Sequence, residues 1–183
     1  MRRVPSRRAR IAAALLPLAA LTACAGAQPA GSGAAPATAR FTANGVTVTL
    51  TVSDWHAPKG TLTAVLTPEQ GFHLYSTDLP LTGIEGVGRP TTMAVTGALT
   101  AEGKAEAAAE VRSITLPGVG APVPVYPDGP VTVTLPVRAD GDGDATVLFG
   151  YASCSTQEGC TIPVSDHPVP LRVTGAELRL GTP

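Results

Sequence analysis

Residues 46–52 read VTVTLTV, and this stretch decides the fold class. Its valines and leucine alternate with threonines, so an extended chain places the apolar side chains on one face and the threonines on the other. β-Branched residues are also favoured in strands because they pack well on a pleated surface. The stretch is therefore predicted to be a β-strand with one buried face.

Segments of similar composition recur along the chain. They are Thr61–Leu66, Gly71–Tyr75, Thr91–Thr96, Ala108–Leu116, Val131–Val137, Ala145–Tyr151 and Val169–Val173. Turn-forming residues separate nearly all of them, most plainly at 58–60, 128–130 and 140–143. The segment 101–110 is compatible with a short helix or a solvated sheet edge, and we favour the edge. Many short strands without a long amphipathic helix predict an all-β fold, an antiparallel sandwich.

The N-terminus has the pattern of an export signal. The first ten residues contain five arginines and no acidic residue, and the apolar run Ile11–Leu21 follows them. The run is about half the roughly 20 residues that a spanning helix needs. It ends at residues 21–24, LTAC, which resemble a bacterial lipobox. We therefore predict a lipoprotein signal peptide over residues 1–23 and lipidation of Cys24, with a soluble secreted protein as the alternative.

The segment after Cys24 is predicted to be a tether. Residues 25–40 lack large apolar side chains until Phe41, so they bury too little surface to fold. We assign residues 24–40 to a lipidated flexible tether and residues 41–183 to one domain, held outside the cell membrane by its lipid. Without residues 1–23 the chain keeps eight basic against fourteen acidic residues. That balance argues against a nucleic-acid partner.

Once Cys24 is assigned to the lipid, Cys154 and Cys160 form the one remaining pair, in a compartment where disulfides persist. A bridge would require the chain to double back, with Gly159 at the bend, because bridged Cα atoms lie about 5.5 Å apart and six extended steps span about 20 Å. Closing this short loop stabilises by roughly 2.4 kcal/mol, against about 4.7 for a hundred-residue loop. Both a structural bridge and a redox-active pair stay open.

Metal binding is not favoured by the residues present. The three histidines, His56, His73 and His167, are scattered and lack zinc-finger spacing relative to the cysteines. Copper bound through cysteine and histidine stays open as a weaker alternative. We predict no cofactor and no metal.

Three blocks of the sequence resemble the N-terminal domain of the thiol:disulfide interchange protein DsbD, an immunoglobulin-like module that carries electrons outside the membrane. The strongest block is Tyr151–Leu171, with its strand, its two cysteines and the proline after them. Gly71–Tyr75 resembles an aromatic strand beside the family's active site. Tyr126 followed by residues 131–137 resembles a third block. The resemblance covers most of residues 41–173 and implies an immunoglobulin-like sandwich.

The resemblance implies that Cys154 and Cys160 are the redox pair. Cys160 would form the mixed disulfide with a partner, and Cys154 would resolve it. Candidate neighbours of the pair are Tyr75, Tyr126, Tyr151 and His73. His73 could tune the pKa of a thiol, although a strand histidine that faces solvent is the simpler expectation.

The chain departs from the family between Leu116 and Tyr126, where the family carries a longer acidic and aromatic loop that caps the sulfurs. Residues 118–122 are short and contain neither an acid nor an aromatic residue. We therefore expect sulfurs that are more exposed than in the family, or that are shielded by Tyr75 or Tyr126 instead.

The family's membrane conductor and thioredoxin-like domain are not in this sequence, so we expect a membrane-embedded thiol reductase on a separate chain. The predicted function is an extracytoplasmic thiol-disulfide carrier. It would be a protein-disulfide reductase, passing electrons to oxidised thioredoxin-like or cytochrome-maturation proteins. The rival is a lipoprotein binding or scaffold module whose disulfide is purely structural, and copper handling is a weaker one.

Overall fold

A computed structural model describes residues 38–181, and every regular element in that range is a β-strand. The predicted signal peptide, Cys24 and most of the tether lie outside the described residues. The first strand begins at Thr38, so it includes the last three residues assigned to the tether. Within the described range there is no helix of the length and apolar character needed to cross a membrane.

Fifteen strands lie in the described range. They are β1 (Thr38–Ala43), β2 (Val46–His56), β3 (Lys59–Pro68), β4 (His73–Leu74), β5 (Thr92–Gly97), β6 (Leu99–Ala101), β7 (Glu106–Ala107), β8 (Arg112–Ile114), β9 (Val123–Val125), β10 (Val131–Ala139), β11 (Gly143–Tyr151), β12 (Ser153–Ser155), β13 (Gly159–Cys160), β14 (Val164–Thr174) and β15 (Glu177–Leu180). The longest connection, residues 75–91, joins β4 to β5.

The first large sheet has the order β1-β2-β3-β10-β6, and β7 also pairs with β10. In β2 the burial of successive side chains alternates as predicted for residues 46–52. Val46, Val48 and Leu50 are fully buried, while the threonines between them are half-buried. The pairing of β7 with β10 confirms that residues 101–110 form a sheet edge rather than a helix.

The second large sheet has the order β15-β14-β11-β5, and all its pairs are antiparallel. The turn at residues 140–142 carries the chain into it from β10. Apolar side chains from both sheets form one core, including Leu50 and Leu135 from the first sheet and Phe149 and Val169 from the second. The described chain is therefore all-β, an immunoglobulin-like antiparallel sandwich, and the predicted fold class is confirmed.

Two predicted strands are shorter than expected. Residues 108–116 contribute only the three residues of β8, because its partner β9 is equally short and contains Pro124, which has no amide hydrogen for the ladder. Residues 71–75 contribute only β4, and Tyr75 then pairs singly with Val125. These short strands leave the two large sheets and form a separate end of the molecule.

Because one face of β2 is buried in the core, we expect substitutions on that face to reduce stability much more than substitutions on the other face. Leu50→Ala removes a fully buried side chain, and we expect it to lower the free energy of unfolding by about 2–5 kcal/mol. Thr49→Ala on the opposite face is the matched control and should cost about 1 kcal/mol or less. Urea unfolding of both variants measures the difference. Equal losses would contradict the assignment of the buried face.

Candidate functional site

Cys154 and Cys160 are joined by a disulfide, and their Cα atoms lie 4.0 Å apart. They are opposite each other on β12 and β13, and the amide of Thr161 donates to the carbonyl of Ser153 beside them. The cysteines therefore occupy a non-hydrogen-bonded pair, the register in which opposed Cα atoms approach most closely.

The sequence of the loop makes this hairpin. Gly159 has φ +87°, a left-handed conformation that glycine adopts at low cost. Ser155 Oγ accepts hydrogen bonds from the amides of Gln157 and Glu158, at 3.2 and 3.4 Å, and so closes the loop from within. The predicted doubling back of the chain, with Gly159 at the bend, is confirmed.

β12 has a second neighbour, β4, on its other side. Cys154 is opposite His73 in that pair, and Ser153 is opposite Leu74. Cys160, Cys154 and His73 therefore form one row across three strands, here called the cysteine–histidine row, and share one face of the small sheet. Tyr75 belongs to the same face, two residues after His73. Leu74 points the other way and joins the main core.

The two sulfur-bearing residues differ sharply in exposure. Cys154 is 4% exposed and lies in a second apolar cluster, whereas Cys160 is exposed. The buried members of that cluster are Tyr75, Leu79, Val123, Val125, Ala152 and Cys154. Attack on a disulfide needs access to the sulfur that is attacked. A partner's sulfur can therefore approach Cys160 but not Cys154.

Tyr75 places its hydroxyl between the two sulfurs. Its oxygen is 3.1 Å from Cys154 Sγ and 3.8 Å from Cys160 Sγ. The side chain is buried, and that burial raises the pKa of Tyr75 above its usual value. The phenol therefore keeps its proton and acts as a hydrogen-bond donor. A donor to sulfur favours the charged thiolate that forms when the disulfide is reduced.

A glycine-rich segment, residues 83–89, covers Tyr75 and is here called the glycine loop. Gly88 has φ +84°, and a Cβ atom there would lie 2.8 Å from a ring carbon of Tyr75. Arg89 holds the loop by donating to the carbonyls of Thr82, Gly86 and Gly88, at 3.4, 3.4 and 2.7 Å. The glycine loop therefore packs flat on the ring.

The glycine loop also borders the sulfurs. Gly86, Gly88 and Arg89 line a cavity of about 170 Å³ together with Tyr75 and both cysteines. Glu85 accepts a hydrogen bond from the amide of Gly120 at 3.2 Å, which links the loop to the short segment 118–122. Sequence reasoning missed this cover. The available signal was its three closely spaced glycines, each with positive φ in the structure.

The hydroxyls of Tyr126 and Tyr151 are bonded away from the sulfurs. Tyr126 accepts from the amide of Thr77 at 2.8 Å and pairs with the Thr77 hydroxyl at 2.9 Å. Tyr151 donates to the carbonyl of Ala43 at 3.1 Å, and burial raises its pKa to about 12. Of the three tyrosines proposed as neighbours, Tyr75 is therefore the one whose hydroxyl reaches the sulfurs.

His73 is buried, at 5% exposure, and the expectation that it faces solvent is wrong. The residue faces inward because the cysteine–histidine row shares the covered face of the small sheet. Its Nδ1 lies 3.5 Å from Oδ1 of Asp128, and its Nε2 is buried without a hydrogen-bond partner in the part of the chain that the structure describes. Burial lowers the pKa of His73, and the nearby Asp128 carboxylate only partly offsets that effect.

A groove of about 430 Å³ lies on the His73 side of the disulfide, lined in part by Arg112, Tyr126, Asp128 and Thr156. Over residues 38–181, no three His, Cys, Asp or Glu side chains are grouped so that they could hold a metal ion. The groups that the structure brings together at this site are two sulfurs, a phenol and an imidazole.

No family model and no curated protein sequence matches this chain. Among solved structures, the N-terminal domain of Neisseria meningitidis DsbD in its reduced form is similar, with a TM-score of 0.44 and 15% sequence identity. The match covers 72% of this chain and 86% of that domain.

Two glycines of the glycine loop provide a matched pair of variants that test whether the loop and Tyr75 shield Cys154. In Gly88→Ala the new Cβ would contact the Tyr75 ring, whereas Gly86 has nearly the same φ, +83°, and nothing within 4 Å of a Cβ. Overpacking of this kind costs about 1–3 kcal/mol, which corresponds to a population with Tyr75 displaced that is larger by a factor of about 5 to about 140. We expect alkylation of reduced Cys154 to accelerate by that factor in Gly88→Ala.

Gly86→Ala carries the same backbone strain without the contact and should leave the alkylation rate of Cys154 close to that of the parent protein. Mass mapping of peptides after a short pulse of iodoacetamide measures both cysteines, in a chain that carries Cys24→Ser to remove the third thiol. Equal rates in the two variants would show that Tyr75 and the glycine loop do not shield Cys154.

Proposed function

We propose that this chain is an extracytoplasmic thiol-disulfide carrier that exchanges electrons with protein partners through Cys154 and Cys160. The observation that supports this proposal most strongly is the unequal access to the two sulfurs. Cys160 is exposed and lines a cavity, whereas Cys154 is buried beneath Tyr75. Exchange through a mixed disulfide needs one sulfur that a partner can reach and a second that is held back to resolve the intermediate.

The position of the bridge supports this role over a structural one. The disulfide joins β12 to β13, which are already connected by a short hairpin, and it lies outside both large sheets. A bridge that closes so short a loop removes little entropy from the unfolded chain. The sandwich core contains neither sulfur, so the two large sheets do not depend on the bridge.

The exchange proceeds in two balanced steps. The Cys160 thiolate attacks a partner's disulfide, forms a mixed disulfide, and releases one partner thiolate. Cys154 then loses its proton and attacks Cys160 Sγ, which restores the Cys154–Cys160 bond and releases the second partner thiolate. Two electrons pass to the partner. In the oxidised protein the Tyr75 hydroxyl lies 3.1 Å from Cys154 Sγ and 3.8 Å from Cys160 Sγ, where it can donate to a thiolate as it forms.

The dimensions of the site favour a protein as the partner. The cavity at the sulfurs is about 170 Å³, below the ~300–1,000 Å³ of pockets that enclose small molecules. It suits one inserted side chain. Ile162, two residues after Cys160, is 78% exposed and offers apolar contact area beside the reactive sulfur.

We further propose that the electrons come from a membrane-embedded thiol reductase and pass to oxidised thioredoxin-like or cytochrome-maturation proteins. The sequence pattern of residues 1–24 supports export and lipidation at Cys24. A lipid anchor and tether would keep the domain near the membrane and raise its effective concentration around the reductase.

The reduction potential separates a carrier from a scaffold with a structural disulfide. We expect the chain carrying Cys24→Ser to equilibrate with thioredoxin-like proteins at a potential above about −300 mV, the level below which structural disulfides typically fall. Redox titration followed by thiol counting measures this value. A lower potential, together with slow exchange, would overturn the carrier proposal and favour the scaffold.

Trapping of the mixed disulfide tests which cysteine attacks the partner and which resolves the intermediate. In Cys154→Ala the exposed Cys160 can attack a partner but nothing resolves the product, so we expect a stable mixed disulfide on a non-reducing gel. Cys160→Ala is the matched control, and it should trap no partner because Cys154 is 4% exposed. Equal trapping by both variants would contradict the assignment of Cys160 as the attacking sulfur.

A further inference from the structure

His73 is the titratable side chain on the other side of Cys154 from its disulfide partner. The cysteine–histidine row places it directly opposite Cys154 on β4. Directly opposed residues in antiparallel strands have Cβ atoms about 4.5–5.5 Å apart. The imidazole is therefore the nearest cross-strand neighbour of the Cys154 side chain apart from Cys160 itself.

The hydrogen bonding of His73 is incomplete. Its Nδ1 faces the Asp128 carboxylate at 3.5 Å, so Nδ1 carries the hydrogen and Nε2 presents a lone pair. Nε2 is buried, and no group within residues 38–181 forms a hydrogen bond with it. A buried polar atom without a partner is rare in native proteins and calls for an explanation, such as a role in catalysis.

We propose that His73 is the general base for Cys154: its Nε2 accepts the proton of the Cys154 thiol in the resolving step, while Asp128 orients the imidazole. The inference rests on the proposed carrier function and assigns a residue to its second step. In the oxidised protein, Cys154 Sγ is bonded to Cys160 Sγ on β13. When that bond is absent, rotation to another staggered χ1 position turns the sulfur from β13 toward β4.

The other polar groups around the row do not serve as this base. Tyr75 contacts Cys154 Sγ, but its buried phenol keeps its proton. Tyr126 is bonded to Thr77. Arg112 lines the groove beside His73 and is always protonated. Because burial lowers the pKa of His73, its ring is neutral near pH 7 and its lone pair is available.

The step balances as follows. In the mixed disulfide, the proton of the Cys154 thiol moves to His73 Nε2, and the sulfur's electron pair forms the bond to Cys160 Sγ. The bond between Cys160 Sγ and the partner's sulfur breaks, and its electron pair leaves with the partner thiolate. The imidazolium beside Asp128 then returns its proton to solvent through the groove.

A small-molecule disulfide tests this step without any protein partner. The reduced chain carrying Cys24→Ser is mixed with one equivalent of dithiobis(nitrobenzoate), and absorbance follows the coloured thiolate. The first release reports attack by Cys160, and the second reports resolution by Cys154. We expect His73→Phe and His73→Gln to slow the second release by about a hundredfold or more near neutral pH and to leave the first release unchanged.

The pH profile distinguishes a base from a structural residue. Without a base, the thiolate fraction of a thiol rises about tenfold per pH unit until its own pKa is reached, so the second release in both variants should approach the rate of the parent protein as the pH is raised. His56→Gln, at an exposed position, is the control and should change neither release. A second release that is unchanged in the His73 variants, or slowed by the same factor at every pH, overturns the proposal.

The parent protein gives a second measure that needs no variant. Its rate of second release should fall at acid pH with a midpoint that matches the pKa of His73, measured from its ring protons by NMR. A rate that instead rises tenfold per pH unit through neutrality shows that Cys154 titrates alone, and it also overturns the proposal. Either result is independent of the reduction potential, so a scaffold role and a wrong base remain distinguishable.

Discussion

The pairing of β12 with two strands at once is the constraint on which the site depends. One edge of this three-residue strand pairs with β13 and the other with β4, so Cys154 has fixed neighbours on both sides. The ladder sets which side chains share its face, because successive residues of a strand point in opposite directions. A shift of one residue would turn Cys154 into the sandwich core and leave Ser153 beside the tyrosine.

The difference in burial gives Cys154 and Cys160 different roles, although their side chains are chemically identical. The second apolar cluster closes over Cys154 and Tyr75, whereas the hairpin carries Cys160 out to solvent. Reactivity in thiol exchange follows access and protonation state rather than residue type. The same cluster makes a free thiolate at Cys154 costly, because an ion in apolar surroundings loses its hydration. A neighbouring base relieves that cost, and His73 is placed to supply it.

The strands were predictable because the patterns that specify them involve residues that are close together in the sequence. The alternation over residues 46–52 specifies a half-buried strand, and the turn residues at 128–130 and 140–143 specify where strands end. β8 was predicted too long and β9 was not predicted, since a strand of three residues is stabilised by its partner rather than by its own pattern. The bend at Gly159 was also predictable from local sequence, because a bridge between two cysteines so close in sequence requires a turn or a hairpin bend between them.

The sequence by itself determined an all-β chain, the hairpin that carries the two cysteines, and the pattern of an export signal before Cys24. Only the tertiary structure decided that Cys154 is buried and Cys160 exposed, that residues 83–89 cover the Tyr75 ring, and that His73 faces inward with Asp128. Alternation and turns act between neighbours in sequence, whereas exposure and side-chain contacts depend on segments some eighty residues apart that meet when the sheets close.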